Sequence, residues 1–164
     1  MALLGRKLRI GWFSFSCCED STIIFVEMMN EHFFEWKKLI DFRHVRILKG
    51  KNALDSLDVA FVEGAIATQK DADELKKIRE NSKKLVAIGA CACEGMPSAQ
   101  RNDFDEKKKQ EIQFLIERFR LMDKVLRVQD VVPVDDFVPG CPMNEQQFLS
   151  MLNRHLVEFG VKNA

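Results

Sequence analysis

The residues of this sequence best suited to chemistry are its five cysteines, Cys17, Cys18, Cys91, Cys93 and Cys141. A thiolate is a soft ligand whose usual partners are zinc, an iron–sulfur cluster or a second cysteine. Zinc sites are commonly built from local C-x-x-C knuckles, and no C-x-x-C occurs here. Ligands scattered from residue 17 to residue 141 suit a cluster seated in a preformed fold. Five cysteines allow one four-thiolate site and no second one of the same kind. A disulfide or a set of buried free thiols leaves unexplained why all five fall at strand ends or in loops.

The elements that must position these thiols are legible as alternating strands and helices. Residues 8–15 are rich in β-formers and run into a polar loop holding Cys17 and Cys18. Residues 21–40 contain no Gly or Pro and are long enough to be a helix. Short apolar runs at 45–48, 57–62, 84–90 and 125–128 predict further strands. Thr68 and Asp71 form an N-cap pair for a helix to about Asn81. A helix over about 105–121 places Ile112, Leu115, Ile116 and Phe119 at helical spacing. A last helix over about 144–159 aligns Phe148, Leu152, His155 and Phe159, with Gly160 just past its end. This alternation predicts an α/β domain with an open parallel sheet and helices on both faces, in the flavodoxin-like winding, over the single span 1–164. In such a sheet the carboxyl ends of the strands share one edge, where ligands bind. The loops after residues 15 and 90 and the Pro139-Gly140-Cys141-Pro142 loop therefore bring thiols together.

Composition narrows the function classes. The chain has 164 residues, 46% apolar and 30% charged, enough to bury a core. Lys+Arg and Asp+Glu are each 25, so no basic footprint recommends nucleic acid as a partner. No apolar run is long enough to span a membrane, and the first residues are too poor in apolar side chains for a secretory signal. A cytoplasmic location with reduced thiols is expected.

Four motifs then occur in order: Phe15-Ser16-Cys17-Cys18-Glu19-Asp20-Ser21, Val62-Glu63-Gly64-Ala65-Ile66, Ala87-Ile88-Gly89-Ala90-Cys91-Ala92 and Val138-Pro139-Gly140-Cys141-Pro142. Together they resemble the small, iron–sulfur subunit of [NiFe] hydrogenases and its relative in respiratory complex I. Residues 89–102, with Gly95-Met96-Pro97-Ser98 inside, look most like the soluble, cytosolic hydrogenases. The resemblance spans about residues 8–160 and is closest to short, one-cluster members. It implies an electron-transfer subunit with one [4Fe-4S] cluster, beside a large catalytic subunit holding a Ni–Fe centre, with further electron-transfer subunits possible. It also implies a chain that is not catalytic alone. The ligand set it implies is Cys17, Cys18, Cys91 and Cys141, with Cys93 as the spare. Two departures stand out. Asp20 occupies the place of the second cysteine of the hydrogenase C-x-x-C, and the adjacent Cys17 and Cys18 are similar to the tandem cysteines of the complex I subunit. Met143-Asn144 replaces the further prolines of many relatives.

Other residues carry open alternatives. Glu63 is either an ordinary strand-end carboxylate or, as the resemblance implies, a structural or proton-path group beside the cluster loop. Glu19 has the same proton-path alternative, whereas Asp20 is expected to cap the helix that follows. Arg101 either covers the cluster loop or serves an ordinary loop. His32, His44 and His155 have no metal-ligand spacing. The helix over 21–40 carries more apolar residues than one stripe needs, including Met28 and Met29, which predicts a second buried contact with a partner subunit. Two rival classes remain. One is a flavodoxin-like FMN binder using the 14–21 loop for phosphate, which Glu19 and Asp20 disfavour. The other is a scaffold with structural zinc.

Overall fold

The computed structural model describes residues 5–163. Its main sheet takes β1 (Leu8–Ser14), β2 (Ile40–Val45), β3 (Leu57–Glu63), β5 (Ser82–Ile88) and β7 (Asp136–Val138), all parallel, in the order β2-β1-β3-β5-β7. Counting only these five strands, that is the order 2-1-3-4-5 of the flavodoxin-like winding. A small antiparallel pair, β4 (Ile66–Thr68) with β6 (Leu121–Leu126), stands apart from it. The helices are α1 (Asp20–Leu39), α2 (Gln69–Glu80), α3 (Gly89–Glu94), α4 (Glu106–Phe119) and α5 (Glu145–Glu158).

Helices cover both faces of the sheet. On one face α1 and α5 pack Phe25, Met28, Trp36, Phe148 and Leu152 against Ile10, Trp12 and Phe61. Trp12 stacks on Phe25 with ring centroids 4.3 Å apart. On the other face α2 and α3 bring Ala72, Leu75, Ile78 and Ala92 onto Phe13, Ala60 and Leu85. The central strand β3 is buried along its whole length, as parallel strands covered on both sides must be. Its one carboxylate at the amino end, Asp58, is met by Arg6, Arg9 and Lys83 at 2.9–3.2 Å.

Several expected elements fall elsewhere. The strand expected at 45–48 is β2, which begins directly where α1 ends and finishes at Val45. It is an edge strand carrying Asp41 and Arg43, so it lacks the continuous apolar run that marks a buried strand. The strand expected at 125–128 is β6, and it pairs with β4 rather than joining the main sheet. The fifth main strand is β7, three residues between Pro133 and Pro139. Helix α4 buries none of its residues: Ile112 and Ile116 are half-buried, while Leu115 and Phe119 face solvent. Met28 and Met29 are 3% and 7% exposed, so they belong to the internal core and not to a partner face. The outer side of α1 carries Ile23, Phe33 and Phe34 instead. No helix among the described residues is long and apolar enough to cross a membrane.

Candidate metal centre

Three loops at the carboxyl edge of the sheet deliver four thiols to one cavity. Cys17 and Cys18 come from the turn between β1 and α1, Cys91 from the first turn of α3, and Cys141 from the loop between β7 and α5. The cavity encloses about 240 Å³ between its lining atoms, open mouth included. Cys91 is buried, Cys17 half-buried, and Cys18 and Cys141 exposed, so the site opens at the surface. Cys93 does not line this cavity. It lies in the core on the α2 side of the sheet, with its sulfur 3.4 Å from the Ala87 carbonyl, and burial pushes its thiol up to about 12.

The loops are tied to one another by backbone and hydroxyl bonds. The Ala90 N–H donates to the Gly140 carbonyl at 2.8 Å, joining the Cys91 and Cys141 loops. The Met143 N–H donates to the Ser21 hydroxyl at 3.2 Å, joining the Cys141 loop to α1. Ser16 and Ala65 exchange two backbone bonds of 3.0 Å, joining the Cys17 loop to the turn after β3. Two glycines permit this crowding. At Gly64 (φ 94°) a Cβ would stand 2.8 Å from the Phe15 backbone, and at Gly140 (φ 116°) one would stand 2.5 Å from the Pro142 carbonyl. Both also hold the positive φ that side-chain-bearing residues avoid.

Glu63 is the buried centre of the arrangement, 3% exposed at the end of β3. Its carboxylate accepts the Ser21 and Thr22 backbone N–H groups at 3.0 and 3.1 Å and the Thr22 hydroxyl at 2.5 Å. The Trp12 indole N–H donates to that same hydroxyl at 2.8 Å. Burial raises the Glu63 carboxyl above its ordinary value, while the Thr22 and Ser21 bonds pull the other way. Glu63 therefore caps α1 from another strand. The expected cap, Asp20, is instead the first helical residue, and the N-cap is Glu19 at φ 64°, with no side-chain cap bond. The reason is spatial: a carboxylate from the neighbouring strand reaches the α1 amides, so no local cap is needed.

The remaining expected site residues sit outside the thiol cavity. Glu19 is exposed and lines a separate cavity of about 850 Å³, open mouth included, with Phe13, Phe15, His44 and Arg46. That cavity is the larger of the two but contains no thiol. Arg101 bonds the carbonyls of Met122 and Asp123, and Asn102 exchanges two bonds of 2.8 Å with Val125, so this pair holds β6 rather than covering the cysteine loops. Sequence reasoning missed Ser98 and Thr22 as contributors. Ser98 was visible within Met96-Pro97-Ser98, but nothing in the sequence says that its hydroxyl turns toward Cys91.

The donor set fits an iron–sulfur cluster. Four sulfurs and no imidazole line the cavity, which is the soft set such clusters take. Among the described residues no three His, Cys, Asp or Glu side chains gather closely enough for a single metal ion. A cluster is held from its corners, so its ligands stand further apart than those of one zinc ion. The flavin alternative meets a steric and electrostatic obstacle: the α1 amides that would receive a phosphate are already occupied by the Glu63 carboxylate. Burial, with Glu63 nearby, pushes the Cys17 thiol up to about 12. A bound metal would have to displace that proton.

The family described as "NADH ubiquinone oxidoreductase, 20 Kd subunit" matches residues 17–155. The chain belongs to that family. Among curated relatives, the NAD-reducing hydrogenase HoxS subunit delta of Cupriavidus necator is 24% identical over 163 residues, covering 90% of this chain and 78% of that protein. The sulfhydrogenase 2 subunit delta of Pyrococcus furiosus is 24% identical, covering 88% of this chain and 60% of its own length. The coenzyme F420 hydrogenase subunit gamma of Methanosarcina barkeri is 25% identical, and the chain spans half of it. Among solved structures, a chain of an NAD+-reducing [NiFe]-hydrogenase in the H2-reduced state superposes with a TM-score of 0.81 at 24% identity, covering 93% of each chain. The shared fold is that of the parallel sheet and helices described above.

Proposed function

We propose that this chain is the electron-transfer small subunit of a cytoplasmic [NiFe]-hydrogenase-like oxidoreductase, holding one [4Fe-4S] cluster on Cys17, Cys18, Cys91 and Cys141. The observation that carries the reading is the meeting of these four thiols, from three separate loops, at the carboxyl edge of the sheet. A cluster bound there supplies one-electron transfer between a partner's catalytic centre and a further carrier. The chain's own groups do the rest. Glu63 fixes the helix that follows Cys17 and Cys18, Gly64 and Gly140 let the loops approach, and the exposed Cys18 and Cys141 leave the site open toward a partner. The named partner is a large subunit with a Ni–Fe centre, with further electron-transfer subunits beyond it. The hydrogenase names of the relatives support that assignment.

A second reading is a complex-I-like iron–sulfur subunit of another oxidoreductase. The adjacent Cys17 and Cys18 and the family description favour it. One experiment tests both. The chain is co-purified anaerobically with its large subunit, and iron, sulfide, nickel and zinc are measured. About four irons and four sulfides per chain with nickel in the complex are expected. Iron and sulfide without nickel select the second reading. Stoichiometric zinc without iron, in cells given ample iron, sinks both.

A further inference from the structure

The Ser98 hydroxyl oxygen lies 3.3 Å from the Cys91 sulfur and 2.9 Å from the Ser16 carbonyl oxygen. Among the described residues it is the one hydroxyl within hydrogen-bond distance of any of the four sulfurs. Its carrier is held from both sides. Ser98 opens a short 3-10 turn, Ser98–Asp103, in which the Ala99 N–H bonds Gly95 at 2.7 Å and the Gln100 N–H bonds Pro97 at 3.1 Å. Arg101 and Asn102 anchor the same turn to β6 through four bonds. A hydroxyl carried on so tightly tied a turn keeps its place when the charge beside it changes.

We infer that Ser98 is a positioning residue that raises the reduction potential of the cluster by hydrogen-bonding the Cys91 sulfur; this rests on Cys91 being a ligand, as proposed above. The Ser98 hydroxyl has one proton and two acceptors. Against a Cys91 thiol, the Ser16 carbonyl is the stronger acceptor. Against a metal-bound thiolate, the sulfur carries negative charge and draws the proton, because charge-assisted bonds are the stronger ones. Adding one electron to the cluster makes that sulfur more negative still. The bond therefore stabilises the reduced state more than the oxidised one, and hydrogen bonds to sulfur are a recognised lever on cluster potentials. The step is the gain of one electron from a chemical reductant; the proton stays on the Ser98 oxygen throughout. By tying this turn to β6, Arg101 and Asn102 also hold the Ser98 hydroxyl in place.

The test is an anaerobic redox titration of the intact complex, followed by EPR, for the parent, Ser98→Ala and Ser98→Thr. The alanine variant should hold the parent's iron and sulfide and titrate at a lower potential, with its reduction equilibrium shifted about three- to tenfold; tenfold corresponds to about 59 mV for one electron. Threonine keeps the hydroxyl and should stay near the parent. A role limited to tying the loops together would change cluster retention without moving the potential of the clusters retained. Unmoved potential in fully loaded Ser98→Ala overturns the inference. Where the alanine variant fails to load, Ser98→Cys takes its place: a thiol is a weaker donor than a hydroxyl, so a potential below the parent's is expected, and an unmoved one overturns the inference. A Cys91→Ser complex separates the two layers. A cluster unaltered by that change overturns the ligand assignment and this inference with it. An altered one, alongside an unmoved Ser98→Ala potential, overturns the hydrogen bond alone.

Discussion

The carboxylate of Glu63 holds the first turn of α1 through Thr22, accepting its backbone N–H at 3.1 Å and its hydroxyl at 2.5 Å. Glu63→Ala strands those donors and the Ser21 N–H in a dry site. The expected cost is about 2–4 kcal/mol in chemical denaturation, since unpaired buried donors lose their desolvation energy outright. Glu19→Ala, at the nominal cap, should move stability by no more than about 0.5 kcal/mol, because that exposed side chain makes no cap bond. Equal losses at the two positions would refute this account of the helix start.

Acid should weaken the fold through Asp58. Burial alone would raise this carboxyl, but the bonds from Arg9 and Lys83 outweigh it and hold the group down to about 2. An unfolded Asp titrates near 4, so the contribution is fully present above about pH 4 and disappears as pH falls toward 2. Its size is about 2 kcal/mol. Asp58→Asn should lower stability at neutral pH and flatten the acid limb between those two values. A variant with the parent's acid limb would assign that loss to other carboxylates.

The cysteines should divide four to one. Cys91→Ser or Cys141→Ser should abolish the visible iron–sulfur absorption or change its EPR signature. Cys93→Ser should leave both intact, because its sulfur lies in the core on the far face of the sheet. Its effect should be on stability alone, by about 1 kcal/mol. Loss of the cluster on Cys93→Ser, with retention on Cys91→Ser, would reverse the assignment within this loop.

Gly140→Ala should harm the site more than the fold. Its Cβ would collide with the Pro142 carbonyl at 2.5 Å on the loop that carries Cys141 and crowd the Asn144 N–H at 3.3 Å, at the amino end of α5, while the strand before it is not touched. Iron content should fall severalfold, and the thermal midpoint of the metal-free chain should drop by only a few degrees. Full iron loading in this variant would show that the loop relaxes around the added methyl.

The two sides of α1 should respond oppositely to charge. Met28→Glu places a carboxylate in the core between α1 and the sheet and should cost more than about 4 kcal/mol, enough to leave little soluble protein. Phe34→Glu, at a ring 73% exposed, should leave stability within about 0.5 kcal/mol. Soluble yield and thermal melts of the two variants check this directly. A folded Met28→Glu chain would mean that the core tolerates more than its packing suggests.

Much of this protein was legible in its sequence because the signals were local. Apolar runs marked β1, β3 and β5, the Thr68–Asp71 pair marked the start of α2, and the placement of cysteines at strand ends foretold one shared edge. These are properties of a few neighbouring residues plus one topological rule. What the sequence left open depends on residues far apart in the chain. Strand β7 is only three residues long and is a strand because β5 lies beside it; β6 resembles a core strand yet pairs with β4. Met28 and Met29 are as apolar as Phe33 and Phe34, and only the direction each takes from α1 separates core from surface. The capping of α1 by Glu63, 42 residues from Ser21, and the Ser98 hydroxyl beside Cys91 are contacts that no periodicity encodes. Propensity and patterning act along the chain, whereas a hydrogen bond between distant segments exists only once packing has brought them to within about 3 Å.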